Sequence, residues 1–259
     1  MNFGIAGRKA IICASSKGLG RACAHALAQA GCEVVVNGRN AESLARTARE
    51  LRAIGRATVH EVAGDLDEET TRAALVAACP EADILVNNNS GPPRKDFAAI
   101  TRADILAGLE SNMLTPIALI HAFAPGMVRR KFGRIINITS SSVRAPIAGL
   151  DVSSGARAGL TAFLAAAARI YVRDNVTINS IQPGSFDTDR LRPAHERLAA
   201  ERGVALSVVR AEAAASIPVG RLGDPDELGC LCAYLASVHA GFITGQNILI
   251  DGGAFRSAF

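Results

Sequence analysis

The feature that most constrains this chain is a short apolar run that leads into a glycine-rich turn and then into a helix. Residues Ala10 to Cys13 are apolar, as expected of a strand buried in a parallel sheet. Gly18 and Gly20 follow. Because they lack Cβ atoms, a ligand can approach the backbone, and the helix that they open directs unpaired N–H groups at an anion. The pattern predicts a phosphate-binding turn, although a glycine pair alone is also typical of a plain connection.

Strand-like and helix-like segments alternate along the rest of the chain, without a linker or a repeat. Further strands are predicted at Glu33–Val36, Thr58–Val62, Ile84–Val86, Arg134–Ile138, Val176–Ile181 and Asn247–Ile250. Helices are predicted at 19–30, 40–51, 67–78, 101–130, 154–174 and 224–237, with a polar helical segment at 187–215. In the long helix we expect a jog near Pro116 and a late interruption at Pro125. This alternation predicts one α/β domain over residues 1–259, with a doubly wound parallel sheet of about seven strands.

Composition narrows the classes of function. The net charge is +4, but the basic residues are scattered and no aromatic residues interleave with them, which argues against nucleic-acid binding. We expect no membrane span, because no stretch of about eighteen uncharged apolar residues occurs. The six cysteines form no C-x-x-C pair and are interpreted as core residues of a cytoplasmic protein. The five histidines show no metal-ligand spacing, so no metal site is predicted.

Several spaced motifs together resemble the short-chain dehydrogenase/reductase family over nearly the whole chain, and the likeness is to 3-oxoacyl reductases. The segment from Cys13 to Gly20 is similar to the family's T-G-x-x-x-G-x-G turn, with Ala14 at the first glycine. Asn87 to Ser90 stand at the family's N-N-A-G, and Pro183, Gly184 and Thr188 fit its P-G-x-x-x-T. The resemblance implies a single-domain Rossmann fold that binds a nicotinamide cofactor. The residues that it assigns to cofactor binding are Ala14, Ser16, Lys17, Gly18, Leu19, Gly20, Asn37, Arg39, Asp65, Leu66, Asn88, Asn89, Ser90, Pro183, Gly184 and Thr188.

The same resemblance implies an altered reaction centre. Asn112 and Ser140 match the family's catalytic asparagine and serine, but Ser153 stands at its tyrosine and Arg157 at its lysine. The two tyrosines of the chain, Tyr171 and Tyr234, lie too far along the sequence to replace the missing phenol. A serine hydroxyl is a much weaker acid than a phenol, so hydride transfer would be slowed by roughly 10²–10⁴-fold. The alternative interpretation of Ser153 and Ser154 is a helix N-cap.

Cofactor choice follows from the end of the second strand. Enzymes that use NAD carry an acidic residue there, whereas this chain has Asn37, Gly38 and Arg39. Lys17 in the glycine turn adds a second cation. We therefore predict NADP(H).

Three functions remain open at this stage. The first is an NADP(H)-dependent oxidoreductase that acts on a small carbonyl or alcohol substrate, with a lid over about 187–216. The second is an NADP(H)-binding protein without redox turnover, and the third is a non-redox activity in the same pocket. Arg94, Lys95 and Arg144 would border the substrate and could recognise an anionic group.

The resemblance also implies a homotetramer or homodimer. The helix after the fifth strand carries a stripe of small and apolar residues that could face either a partner subunit or the sheet. The stripe comprises Ala156, Leu160, Phe163, Leu164, Ala167 and Ala168.

Overall fold

The predicted doubly wound sheet is confirmed. The computed structural model describes residues 2–55 and 58–257, and in these ranges seven parallel strands form one sheet in the order β3-β2-β1-β4-β5-β6-β7. The strands are Lys9–Ile12 (β1), Glu33–Gly38 (β2), Val59–Ala63 (β3), Ile84–Asn87 (β4), Gly133–Ile138 (β5), Val176–Pro183 (β6) and Asn247–Ile250 (β7). The strand order reverses between β1 and β4. Ligands of such sheets bind beyond the carboxyl ends of the strands at this switch point.

Helices cover both faces of the sheet, because successive residues of each buried strand point to opposite sides. Ile12 packs into one core with helices α1, α2 and α9, whereas Ile11 packs into the other with α3, α5 and α6. The helices are Gly18–Gln29 (α1), Ala41–Ala53 (α2), Glu69–Ala78 (α3), Arg102–Leu109 (α4), Thr115–Arg130 (α5), Asp151–Tyr171 (α6), Arg192–Arg202 (α7), Leu206–Ala215 (α8) and Pro225–Ala236 (α9).

The jog predicted near Pro116 is a π-helical turn, Glu110–Leu114, which joins α4 to α5. Pro116 has no N–H to donate to the carbonyl four residues earlier, which favours a local widening of the helix. The interruption predicted at Pro125 is wrong, since α5 continues through it to Arg130. Burial of Phe123, Ala124 and Met127 around this proline holds the helix together.

The joined helix Arg102–Arg130 is long and apolar enough to cross a membrane by length and composition. In this fold it packs against the sheet and α6, where Leu119 and Phe123 enter the core. That is the environment of a core helix in a doubly wound domain.

Two boundaries differ from prediction in ways that matter for the site. Helix α6 begins at Asp151 rather than 154, so Ser153 lies inside the first turn, and Leu150 is the N-cap residue. The N-cap interpretation of Ser153 and Ser154 is therefore wrong. The segment predicted as helical over 187–215 is two helices, α7 and α8, because Gly203 adopts φ +62° and ends the first.

The stripe on α6 is divided between two environments. Ala156, Leu160, Leu164 and Ala168 are buried against the sheet, whereas Phe163 is 51% exposed. Most of the stripe therefore belongs to the core of the domain.

Candidate active site

The glycine turn lies at the switch point, between the end of β1 and the start of α1. Gly18 has φ +58°, and a Cβ there would lie 3.7 Å from Thr188 Cγ2. At Gly20 a Cβ would collide with the Ala14 carbonyl oxygen and lie 2.8 Å from Asn88 Nδ2. Ala14 itself has φ +44°, a conformation that costs a non-glycine residue energy. Alanine at the family's first glycine position is thus accommodated with the turn intact.

Two asparagines fasten this turn to neighbouring strands. Asn37 Oδ1 accepts from the Ala14 N–H at 3.1 Å, and its Nδ2 donates to the carbonyls of Val62 and Gly64. Asn88 Nδ2 donates to the Ala14 carbonyl at 3.2 Å. The buried side chain of Asn37 therefore joins the turn after β1 to the end of β3, and Asn88 joins the same turn to the end of β4.

Charged side chains of both signs lie on the outer side of the turn. A cavity of about 370 Å³ there is lined by the turn residues Ser16 to Gly18, by the cations Arg21 and Arg46, and by the carboxylates of Glu50, Asp187, Asp189 and Asp226, among others. Among the described residues Lys17 and Arg46 have no ion-pair partner, whereas Arg21 at the same cavity pairs with Glu50 at 2.7 Å. The sequence analysis missed Arg46. Its place near the start of α2 could have indicated this, because that helix begins shortly after Arg39 at the end of β2.

Arg39 leaves the end of β2 and spans the groove toward β4. Its guanidinium lies 3.6 Å from Asp65 Oδ2 and donates to Ser90 Oγ at 3.2 Å. Leu66, the residue after Asp65, is buried. No carboxylate occupies the end of β2, as the sequence predicts, but Asp65 from the β3 end partly balances Arg39.

Asn89 connects the β4 loop to the long helix. Its Nδ2 donates to Asp67 Oδ1 at 3.0 Å and to the Ser111 carbonyl at 3.2 Å. Asp67 also accepts from Thr115 Oγ1. Burial raises the pKa of Asp67, and these two hydrogen bonds oppose the shift. The loop from Asn88 to Ser90 is thereby held against the π-helical turn.

The end of β6 and the residue after it lie close to the end of β7 and the turn that follows it. Gly184 donates its N–H to the Ile250 carbonyl at 2.9 Å, and a Cβ there would lie 2.7 Å from Asp251 Cβ. Pro183 is the last residue of β6. The close approach of the turn at Asp251 therefore requires glycine at this position.

Ser140 stands at the start of a short 3₁₀ turn after β5. Its Oγ accepts from the Ser142 N–H at 3.1 Å and from Ser142 Oγ at 2.9 Å. With both acceptor positions of the oxygen used, the Ser140 hydroxyl proton is left to donate to a ligand.

Ser153 and Arg157 face each other one turn apart on α6. Arg157 Nη1 donates to Ser153 Oγ, and both residues are buried, with 4% and 7% exposure. Burial, followed by the nearby charge of Arg190, lowers the pKa of Arg157 to about 10. The guanidinium is still protonated at neutral pH, so a buried cation polarises the Ser153 hydroxyl.

Asn112 brings the π-helical turn to the same place. Its Nδ2 donates to the Ser90 carbonyl at 3.1 Å, and within the described part of the chain its buried Oδ1 accepts no hydrogen bond. A polar cavity of about 10 Å³ is bordered by Asn87, Asn112, Asn137 and Arg157, among others. That volume accommodates about one water molecule.

The two tyrosines lie elsewhere. Tyr171 ends α6, about 27 Å from Ser153 at the helical rise of 1.5 Å per residue. Tyr234 packs on the opposite face of the sheet, in the core formed with α1 and α9.

Two of the cations expected to border the substrate are already engaged. Arg144 donates to Gln182 Oε1 and to the Asn247 carbonyl, each at 2.9 Å, and Lys95 pairs with Asp104 at 2.5 Å. Arg94 has no ion pair among residues 2–55 and 58–257.

A doubly wound sheet with a glycine turn at its switch point defines a dinucleotide-binding protein. A family profile described as Enoyl-(Acyl carrier protein) reductase matches residues 13–254. The chain is 30% identical to the NADPH-dependent reductase BacG of Bacillus subtilis, covering 96% of this chain and 98% of the relative. It is also 30% identical to the 3-oxoacyl-[acyl-carrier-protein] reductase FabG of Vibrio harveyi, with 96% and 98% covered.

A solved reductase structure has the same fold. L-sorbose reductase from Gluconobacter frateurii, complexed with NADPH and L-sorbose, superposes with a TM-score of 0.95 at 27% identity, covering 99% of this chain and 100% of the other. The chain belongs to the short-chain dehydrogenase/reductase family, a family of oxidoreductases.

Proposed function

We propose that this protein is an NADP(H)-dependent short-chain oxidoreductase that interconverts a small carbonyl compound and its alcohol, with Ser153 and Arg157 in place of the usual tyrosine and lysine. The main support is that Arg157 contacts Ser153 and, together with Asn112, lines a cavity beside the loop that follows β4. The NADPH dependence of BacG and the NADPH complex of L-sorbose reductase support the cofactor.

The residues present fit the cofactor. Gly18 and Gly20 keep the turn clear, and the N-terminus of α1 can receive the diphosphate. Lys17 and Arg46 line the cavity on the outer side of the turn, and Arg39 lies at the end of β2; these cations would balance the charge of a 2′-phosphate. Asp65, Leu66 and the loop from Asn88 to Ser90 would border the adenosine, while Ser16, Leu19, Pro183, Gly184 and Thr188 would line its course toward Arg157.

When bound, the cofactor supplies or accepts the hydride. The chain has to hold the substrate oxygen and deliver a proton to it. The Ser140 hydroxyl is free to donate, and a donor placed on a developing oxyanion contributes roughly 10²–10³-fold to the rate.

Ser153 offers the second donor. Its oxygen accepts from the Arg157 cation, which makes the hydroxyl a stronger donor than an isolated serine. The proton itself would reach the substrate from Ser153 or from water in the polar cavity beside Arg157 and Asn112. Asn112 acts as a positioning residue, because it holds the Ser90 carbonyl and borders that cavity.

NADPH oxidation in the presence of ketones and β-ketoacyl thioesters tests the proposal. We expect substrate-dependent oxidation that falls in Ser153→Ala, while Ser154→Ala, one residue away and also buried, retains the activity. Ser153→Tyr should raise the rate if the missing phenol limits turnover. An unchanged rate in Ser153→Ala would show that another group assists the proton.

The displacement of both tyrosines from the site favours a second candidate, an NADP(H)-binding protein without redox turnover. Saturable NADPH binding with no oxidation across the whole panel would select this candidate.

For the assembly, we propose a homotetramer or homodimer. Phe163 and Ile170 leave an apolar surface on α6, with exposures of 51% and 67%, and Leu114 adds to it from the neighbouring long helix. Light scattering should show an oligomer that dissociates in Phe163→Glu. A wild-type monomer would contradict this proposal.

A further inference from the structure

Two buried arginines of this protein have different surroundings, although burial lowers the pKa of each to about 10. Arg134 donates to the carbonyls of Ser237, Gly133 and Asn175 and also lies over the Phe132 ring. Its charge is therefore solvated by the protein. Such an arginine has a structural role.

Arg157 lacks this solvation. Within the described part of the chain its one hydrogen-bond acceptor is Ser153 Oγ, although a guanidinium carries five N–H donors. A buried charge with unpaired donors is costly, and the usual compensation is an anion or several acceptors.

A second arginine reaches the same point from the other side of the groove. Arg190 follows Thr188 in the loop after β6. Its Nη2 lies 2.5 Å, and Arg157 Nη1 lies 3.2 Å, from the position that a Cβ would take on Gly91. The two guanidiniums therefore converge on one spot, and Gly91, having no side chain, leaves room for them.

No carboxylate balances this pair. Across residues 2–55 and 58–257, Arg157 and Arg190 form no ion pair, and Arg190 has no hydrogen-bond partner. Burial, followed by the repulsion of a further cation, Arg94, lowers the pKa of Arg190. Like charges held together without a counterion are unfavourable, and an anionic ligand would relieve the repulsion.

From this arrangement we infer that Arg157 and Arg190 form a binding site for an anionic oxygen group, a carboxylate or phosphate, carried by the substrate. A guanidinium binds such groups with two parallel hydrogen bonds, and a pair of them selects a planar or tetrahedral oxyanion. The inference deepens the proposed function and rests on it, because the bound anion would lie beside the Ser153 hydroxyl. The substrate class is thus an oxo acid or a phosphorylated carbonyl compound.

The test compares an acid with its uncharged counterpart. The probe is 2-oxo-4-phenylbutanoate against ethyl 2-oxo-4-phenylbutanoate, together with 3-oxobutanoate against its ethyl ester. Calorimetry of the NADP⁺-saturated protein gives binding, and NADPH oxidation gives kcat/KM. We expect the acid to bind more tightly than its ester. Arg190→Gln should lower the ratio of the acid's kcat/KM to the ester's kcat/KM by about 10–100-fold, the effect of losing a charge-assisted hydrogen bond.

Arg192→Gln is the matched control. Arg192 lies two residues further on, exposed and paired with Glu196 at 2.8 Å, so the ratio should not change. Arg190→Lys should restore part of the acid-to-ester ratio that Arg190→Gln loses. Competition by inorganic phosphate and by acetate distinguishes a phosphate site from a carboxylate site, because the anion that the site prefers is the stronger competitor.

The outcomes separate the two proposals. Acids that bind no better than their esters, or a ratio unmoved by Arg190→Gln, would overturn the anion site while redox turnover stands. Tighter, Arg190-dependent acid binding with no NADPH oxidation would retain the site and reject the oxidoreductase. If Arg190→Gln weakened NADPH as much as the acid, the pair would belong to the cofactor and the inference would fail.

Discussion

The two ends of the ligand groove are built on different principles. At the cofactor end, side chains such as Asn37 and Asn88 give their hydrogen bonds to the protein backbone, and glycines bring the chain segments close together. At the reaction end, Asn112 Oδ1 is buried without a hydrogen-bond partner among the described residues, and Arg157 has N–H donors that no acceptor in that part of the chain takes. At the first end the side chains that hold the turn are paired within the protein, and the cations Lys17 and Arg46 are without an ion-pair partner among the described residues. The second has polar groups that a ligand would satisfy.

This contrast explains how a family fold can keep its cofactor site and change its chemistry. The cofactor end depends on backbone conformation, so one substitution can disturb several strands. At the reaction end, each side chain acts through its own polar atoms, and a change such as tyrosine to serine leaves the helix in place. The contrast predicts that substitutions at the two ends will have separable effects on folding and on rate.

The largest effect is expected at the reaction end. Ser140→Ala removes a hydroxyl that is free to donate and should lower kcat/KM by about 10²–10³-fold. Ser141→Ala, in the adjacent turn, should leave kcat/KM unchanged. Steady-state kinetics with NADPH measures both, and an equal loss in the two variants would show that the turn, rather than the Ser140 hydroxyl, was damaged.

The next effect concerns the cofactor end. Gly20→Ala introduces a methyl group against the Ala14 carbonyl and Asn88 Nδ2, and should lower the free energy of unfolding by about 1–3 kcal/mol. Urea denaturation measures the stability, and fluorescence titration should show weaker NADPH binding. Unchanged stability and affinity would mean that the turn relaxes and that the two ends are equally tolerant.

A smaller effect should change cofactor preference. Arg39→Gln removes a cation from the end of β2, so the preference for NADPH over NADH should fall about tenfold, or about 1.4 kcal/mol. Arg21→Gln is the control, because Arg21 is a cation beside the glycine turn that pairs with Glu50. An equal loss in both variants would indicate general electrostatics rather than a contact by Arg39.

The smallest effect returns to the reaction end. Gly155 lies on α6 between Ser153 and Arg157, and nothing lies within 4 Å of a Cβ there. Gly155→Ala should therefore raise the free energy of unfolding by about 0.5–1 kcal/mol through helix propensity. Thermal unfolding measures it, and a destabilised protein would show that the first turns of α6 are as tightly packed as the glycine turn.

Local patterns were sufficient to predict the fold. Apolar runs such as Ile84–Val86, separated by amphipathic helices, allow few arrangements other than a parallel sheet covered on both faces, and the observed strand order follows. The ordered motifs likewise pointed to Gly18, Gly20, Asn112 and Ser140. Helix ends were less predictable. The start of α6 was missed because Leu150, which caps it, carries no side-chain signal for an N-cap.

The residue types and their order established the parallel sheet, the glycine turn and the absence of a tyrosine at position 153, because these depend on short-range spacing. Only the folded chain could bring Arg190, from the loop after β6, to the same point as Arg157 and leave both without a carboxylate partner in the part of the chain that the structure describes. It also committed Arg144 to Gln182 and Lys95 to Asp104. Whether a cation has a hydrogen-bond or ion-pair partner depends on contacts between segments that are distant in the sequence. The spacing of residues along the chain does not predict those contacts.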